Sequence, residues 1–347
     1  MAHATHPELR PARGGAIFLA ALGAAWRRPA AWGLYALALV LLALPAALST
    51  QRTQADLIGQ RYGAGETVHH LDVAFRVDHA DALAHQADLL ATLGGPLGLI
   101  ALLLGVFAAG GWLGVLLDGP ERSQGRRFLT GGGRYFWRFL GLALTVLVLL
   151  AAWHWVLFAW PYEQLLLVRG FGLERPDVQL FDSEATALWL GWGQAGMHAL
   201  GLGLVLSWAL YTRARCAVQQ SNSVVLAGFA AFWMLLRHPV RTLRPLLLLF
   251  VVELALVSGA LGAVSRAIDG SLLGHPDGWR VVLLVAISLV ALLVSAVVFG
   301  ARYAAAVTVV RSLVKPLPLT DPWQDRIGPP GGPQYPLGGQ DEFTVSM

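Results

Sequence analysis

The chain has 347 residues, of which 56% are apolar and only 13% charged, and its mean hydropathy is +0.58. Soluble domains carry about twice that charged fraction, so a large soluble core is excluded and the long apolar runs read as membrane spans. A formal net charge of +4 is too small to indicate nucleic acid, and the single cysteine, Cys216, excludes an intrachain disulfide and a thiolate metal site.

In chain order, residues 1–13 form an N-terminal tail, and 14–314 form the membrane domain. Its first element is a short apolar helix over about 15–27 (AIFLAALGAAW, then Arg27 and Arg28), too short to cross a bilayer and predicted to lie in the interface. Six spans follow, over about 31–48, 97–117, 139–160, 186–210, 245–265 and 281–301. A long polar loop, 49–96, separates the first two spans, and a second short apolar helix over about 224–237 precedes the fifth. The segment 315–347 is rich in proline and glycine and is expected to be a disordered tail through which protein partners could bind.

Basic residues orient the bundle. Eighteen fall in 1–30, 118–138, 211–244 and 302–326, against seven in the alternate connections. By the positive-inside rule both termini are cytoplasmic, so the predicted fold is all-α, six spans, N-in and C-in, with two cytoplasmic interfacial helices. Arginine supplies 24 of the 25 basic residues, a bias common in GC-rich bacterial genomes, so the expected location is a bacterial cytoplasmic (inner) membrane. The two short helices are alike: each runs into Arg-x-Pro (Arg27-Arg28-Pro29 and Arg237-His238-Pro239) and then a span. That pattern fits a weak parallel repeat, and equally a common way of marking the start of a span.

The stretches GVFAAGGWLGVLLDGPERSQGRRFLTGGGRYFWRFLGLAL (105–144) and YTRARCAVQQSNSVVLAGFAAFWMLLRHPVRTLRPL (211–246) carry arginine, glycine and aromatic residues where the chain enters the membrane. In these the chain resembles uncharacterised bacterial six-helix integral membrane proteins, which are loosely similar to the membrane domain of glycerophosphodiester phosphodiesterases. The resemblance covers most of 14–311 and implies a fold more than an activity. The catalytic phosphodiesterase domain of the longer relatives has no counterpart in these residues.

Three places invite a functional reading. In LLLLFVVELALV (246–257) a lone carboxylate, Glu253, sits among apolar residues, where ionisable groups mark function or a structural pairing. On a helical wheel it lies nearly opposite a small stripe of Ala255, Ser258, Gly259 and Gly262, expected to pack closely on another helix. Counting along the helices puts Glu253 and His198 both about 18 Å below the outer surface, and His154 only about 9 Å below it, so Glu253 and His198 are the expected intramembrane polar pair. The second place is Asp81, His85 and Asp88, with Asp78, His69, His70 and His79 nearby; their spacing also describes a solvated helix face, and no metal site is assigned. The third is RRFLTGGGRYFWRF (126–139), where the three glycines read as a turn exposing backbone N–H groups and Arg126, Arg127, Arg134 and Arg138 as an anionic-lipid patch.

No Walker A, Rossmann, nucleophile-elbow or zinc pattern occurs, so neither an enzyme nor a cofactor is expected. The leading expectation is a non-catalytic scaffold, assembly factor or regulatory component. A small transporter or permease subunit using the Glu253–His198 pair is the alternative, and a lipid-processing or lipid-binding protein comes third.

Overall fold

The computed structural model describes residues 16–58, 80–118, 123–172, 183–219, 223–271 and 278–313. Of these, 96% are helical and none is in a strand. The helices are α1 (Ala16–Trp26), α2 (Pro29–Ile58), α3 (Ala80–Leu117), α4 (Gln124–Phe158), α5 (Glu184–Gln219), α6 (Val224–Arg237), α7 (Pro239–Ser271) and α8 (Gly278–Leu313). A π-helical segment, Pro161–Gly170, prolongs α4. Proline opens α2 and α7, a position where its missing N–H costs nothing. At the start of α6 the Ser223 hydroxyl caps the helix by accepting from the Leu226 N–H at 3.3 Å.

Six helices are long and apolar enough to cross a membrane: α2, α3, α4, α5, α7 and α8. Each matches one of the spans expected from the sequence, α4 ending two residues short at Phe158, but several run much further. The 38 residues of α3 would extend roughly 57 Å, nearly twice the hydrocarbon thickness of a bilayer. The expected 49–96 loop is correspondingly shorter, because α2 continues to Ile58 and α3 begins at Ala80. Asp81, His85 and Asp88 lie in the first turns of α3, while His69, His70, Asp78 and His79 fall outside the described residues, as do the terminal tails.

Burial is concentrated at one end of the bundle. Val106–Leu116 of α3, alternate turns of α4 from Arg127 to Val146, Ala209–Ala217 of α5 and Ala296–Val310 of α8 form the core. At the other end large apolar side chains, among them Val148, Trp189, Leu200 and Leu261, stay exposed, as residues surrounded by lipid do. The buried end is the one where the arginines collect.

Glycine sets the closest contact. A Cβ on Gly114 would stand 2.8 Å from both the Arg127 carbonyl oxygen and Gly131 Cα, and one on Gly131 would stand 2.7 Å from the Gly110 carbonyl oxygen. The α3 and α4 backbones therefore touch, through a Gly-x-x-x-Gly pair on α3 (110 and 114) that meets Gly131. The Gly131-Gly132-Gly133 run is consequently helix and not the expected turn. Its first two members are buried against α3, and only Gly133 faces open space. A further close approach sets Gly300 of α8 under the indole of Trp112, which is fully buried.

The short helices bury matching positions. When Arg27-Arg28-Pro29 is set over Arg237-His238-Pro239, the buried Ala21, Ala24 and Ala25 of α1 fall on the buried Ala231, Met234 and Leu235 of α6. Helix α1 packs mainly on α8, and α6 mainly on α5. Neither packs mainly on the hairpin that follows it, so the contacts do not choose between a repeat and a recurrence of Arg-x-Pro.

The α3–α4 contact makes a sharp prediction. Gly114→Leu or Gly131→Leu places side chain where backbone already lies, so the helices must separate; over-packing typically costs about 1–3 kcal/mol. Gly133→Ala, in the same glycine run but facing nothing, should be neutral or stabilising by up to about 1 kcal/mol. Thermal unfolding in detergent should show a lower Tm for the first two variants and none for the third.

Candidate functional site

Glu253 lies on α7 and its carboxylate receives a hydrogen bond and ion pair from Arg302 Nη2 of α8. The expected pairing with His198 is therefore corrected: the carboxylate belongs to a guanidinium on the adjacent antiparallel helix. Both side chains are partly exposed, 31% for Arg302 and 21% for Glu253. The sequence places Arg302 beyond the sixth span, but α8 stays helical to Leu313 and every residue from Tyr303 to Val310 is buried. The arginine thus lies within α8 and not in a connection beyond it.

One turn of α8 gathers contacts from three other helices. Phe299 stacks on Tyr35 of α2 at a centroid distance of 4.6 Å, and its ring meets Tyr303 edge-on at 5.3 Å. The Tyr303 hydroxyl accepts from Arg213 Nη1 of α5 at 3.0 Å. With Arg302 reaching Glu253 of α7, residues 299–303 tie α2, α5 and α7 to α8. Small neighbours, Gly300, Ala301 and Ala304, are buried and admit the other helices to this turn.

His198 is placed elsewhere. Its ring lies edge-on to His154 at 5.7 Å and to Phe158 at 5.2 Å, both on α4, and its Nδ1 is buried with no hydrogen-bond partner. Depth matched His198 to Glu253, but azimuth decides contact: α5 turns this residue toward α4, while α7 turns Glu253 toward α8. Among the described residues the small stripe opposite Glu253 meets no other helix, since Gly259 and Gly262 have nothing within 4 Å and Ala255 and Ser258 are exposed.

The arginine patch divides in two. Arg127 is buried and its Nη1 donates to the Asp118 carbonyl at 3.1 Å, closing the end of α3 against the start of α4. Arg126, Arg134 and Arg138 are exposed, with the Arg134 guanidinium 5.4 Å from the centre of the Tyr135 ring. Because the glycines are helical and packed, no backbone N–H cradle exists there for a phosphate.

Among the described residues no cluster of three or more His, Cys, Asp or Glu side chains could hold a metal ion. The Glu253–Arg302 pair binds charge to charge. Arginine does not release its proton in the physiological range, so the pair lacks the two-way proton exchange that a carboxylate–imidazole pair would offer. The chain matches no family model, no curated protein and no solved structure, so function has to be read from geometry.

Removing one member of an ion pair in low dielectric strands the other, at a cost of about 3–5 kcal/mol when both are fully buried. These two are partly exposed, so Glu253→Leu should cost less than that but clearly destabilise, as should Arg302→Met. The double variant should recover most of the loss, because two apolar side chains leave no charge stranded. A double-mutant cycle on thermal stability checks this; additive losses would show that the pair contributes nothing as a pair.

Proposed function

We propose that the protein is a non-catalytic component of a bacterial cytoplasmic membrane, a scaffold, assembly factor or regulatory subunit that acts by lateral packing. The observation that carries this reading is the partner of Glu253. The one acidic residue within the six spans expected from the sequence is paired with an arginine on the neighbouring helix, where a transport path would need polar groups free to bind and release. The concentration of burial at one end supports the same reading, since it leaves apolar helix faces, including the unused small stripe of α7, available to other membrane helices. The C-terminal segment 315–347 offers a second route to protein partners.

The orientation follows from the arginines. Eighteen basic residues fall on the proposed cytoplasmic side against 7 outside. Both termini are then cytoplasmic, and α1 and α6 lie at the inner interface. Reporter fusions after Lys315 should report the cytoplasm and fusions at Gly63 the outside; a cytoplasmic signal from Gly63 would overturn the six-span arrangement.

The functional reading itself is tested by purification from native membrane beside a flux assay in proteoliposomes. Co-purifying membrane proteins in fixed ratio, with no proton or cation flux above empty vesicles, are expected. Flux that vanishes in Glu253→Gln while thermal stability is kept would instead make the polar junction a transport site.

A further inference from the structure

We propose that the bundle binds a small soluble oxyanion, of the phosphate or carboxylate class, on the free edge of the Arg213 guanidinium. This goes beyond the scaffold reading and does not rest on it. Arg213 of α5 is partly buried and has two neighbours, neither of them charged. Its Nη1 donates to the Tyr303 hydroxyl of α8 at 3.0 Å, and its guanidinium lies 6.0 Å from the centre of the Phe139 ring of α4. Among the described residues no carboxylate pairs with it. The junction around residues 299–303 therefore holds two guanidiniums, Arg213 and Arg302, against one carboxylate, and that carboxylate, Glu253, is paired with Arg302. One positive charge is left over. Charges withdrawn from water are normally paired, because an uncompensated one is costly.

The unmet hydrogen-bonding demand at Arg213 is all for acceptors. Nε is buried without a partner; Nη2 also lacks one but is not buried, so solvent reaches the Nε–Nη2 edge. That edge presents two parallel N–H groups, the geometry that takes two oxygens of a carboxylate or phosphate. The Tyr303 hydroxyl, on a buried ring, accepts from Arg213 and so keeps its own proton to donate. Donors without acceptors call for an anion. Position selects its source. The guanidinium is enclosed by α4, α5 and α8, a place that a small ion enters more readily than a headgroup tethered to two acyl chains. It lies six residues before the end of α5 at Gln219, about 9 Å along the axis, at the arginine-rich end. Toward the other end, no Asp, Glu, Lys or Arg lies between Glu184 and Arg213 on α5, between Arg138 and Glu163 on α4 and its continuation, or between Arg280 and Arg302 on α8. An anion that arrives from the arginine-rich end finds no further charged step on these helices, so it is held and not passed on.

The test follows thermal unfolding of the purified full chain in detergent as inorganic phosphate, or acetate, replaces chloride at constant ionic strength. Titration calorimetry measures the affinity of whichever anion acts. Wild type should gain Tm with phosphate or acetate and then saturate, as a ligand of the folded state requires. Arg213→Gln should show no such gain and bind roughly tenfold more weakly or worse, the loss of a charge-assisted pair. Tyr303→Phe should weaken binding by a smaller factor, and Arg237→Gln, an exposed arginine at the end of α6, should respond as wild type. A wild type whose Tm moves with neither anion would overturn the proposal. So would a full response in Arg213→Gln, a response lost in Arg237→Gln, or displacement of the bound anion by equimolar phosphatidylglycerol in mixed micelles, which would make the ligand a headgroup. If Arg213→Gln fails to fold, Arg213→Lys decides, since it keeps the charge and loses the two-pronged edge: unchanged affinity overturns the site, and weaker binding supports it.

Discussion

Backbone contact between α3 and α4 is possible only because Gly110, Gly114 and Gly131 carry no side chain, and much of the bundle is arranged around that contact. In lipid there is no hydrophobic gain from bringing two apolar helices together, so packing density and close approach must hold them. With the α3 and α4 backbones touching, Phe128 and Phe107 are pressed over the neighbouring glycines, and Trp112 is presented on the far side of α3. Gly300 of α8 then fits beneath that indole, which sets the height of α8 and, with it, the turn from Phe299 to Tyr303. The position of the polar junction is therefore a downstream result of a glycine contact on a different helix pair.

Polar groups inside the bundle are mostly spent on local or interhelical acceptors. The Tyr211 hydroxyl, on a fully buried ring, donates to the Thr242 carbonyl at 2.6 Å, joining α5 to the first turn of α7. The Trp208 indole N–H donates to the Gly228 carbonyl at 2.8 Å, fastening α5 to α6. Thr212, Thr242 and Thr308 return their hydroxyls to carbonyls one turn back. Glu253 and Arg302 obey the same economy with full charges. These bonds act as fasteners between helices whose apolar surfaces alone would not choose one another over lipid.

The spans were legible in the sequence because run length and hydropathy alone decide whether a helix can cross a bilayer. Their ends were not, because an arginine in sequence looks like the end of a span, whereas Arg213 and Arg302 lie within helices and bond to a tyrosine hydroxyl and a carboxylate. The apolar run on both sides of Arg302, from Val282 to Val310, was the available signal that it lay inside. Glycine misled in the opposite sense: Gly131–Gly133 has turn propensity, yet the Gly-x-x-x-Gly spacing at 110 and 114 on the preceding span was visible and marks a helix-crossing surface. The partner of Glu253 was missed because depth along a helix can be counted from sequence, but the direction in which neighbouring helices lie around it cannot.

The packing of α1 on α8 joins the first described helix of the chain to the last. During synthesis α1 emerges long before α8, so for most of translation its main partner is absent. The buried side of α8, Ala296 to Val310, is in turn left without part of its cover until α1 reaches it. The first described helix to be made thus meets the last, so this packing is completed only after the whole membrane region has been synthesised.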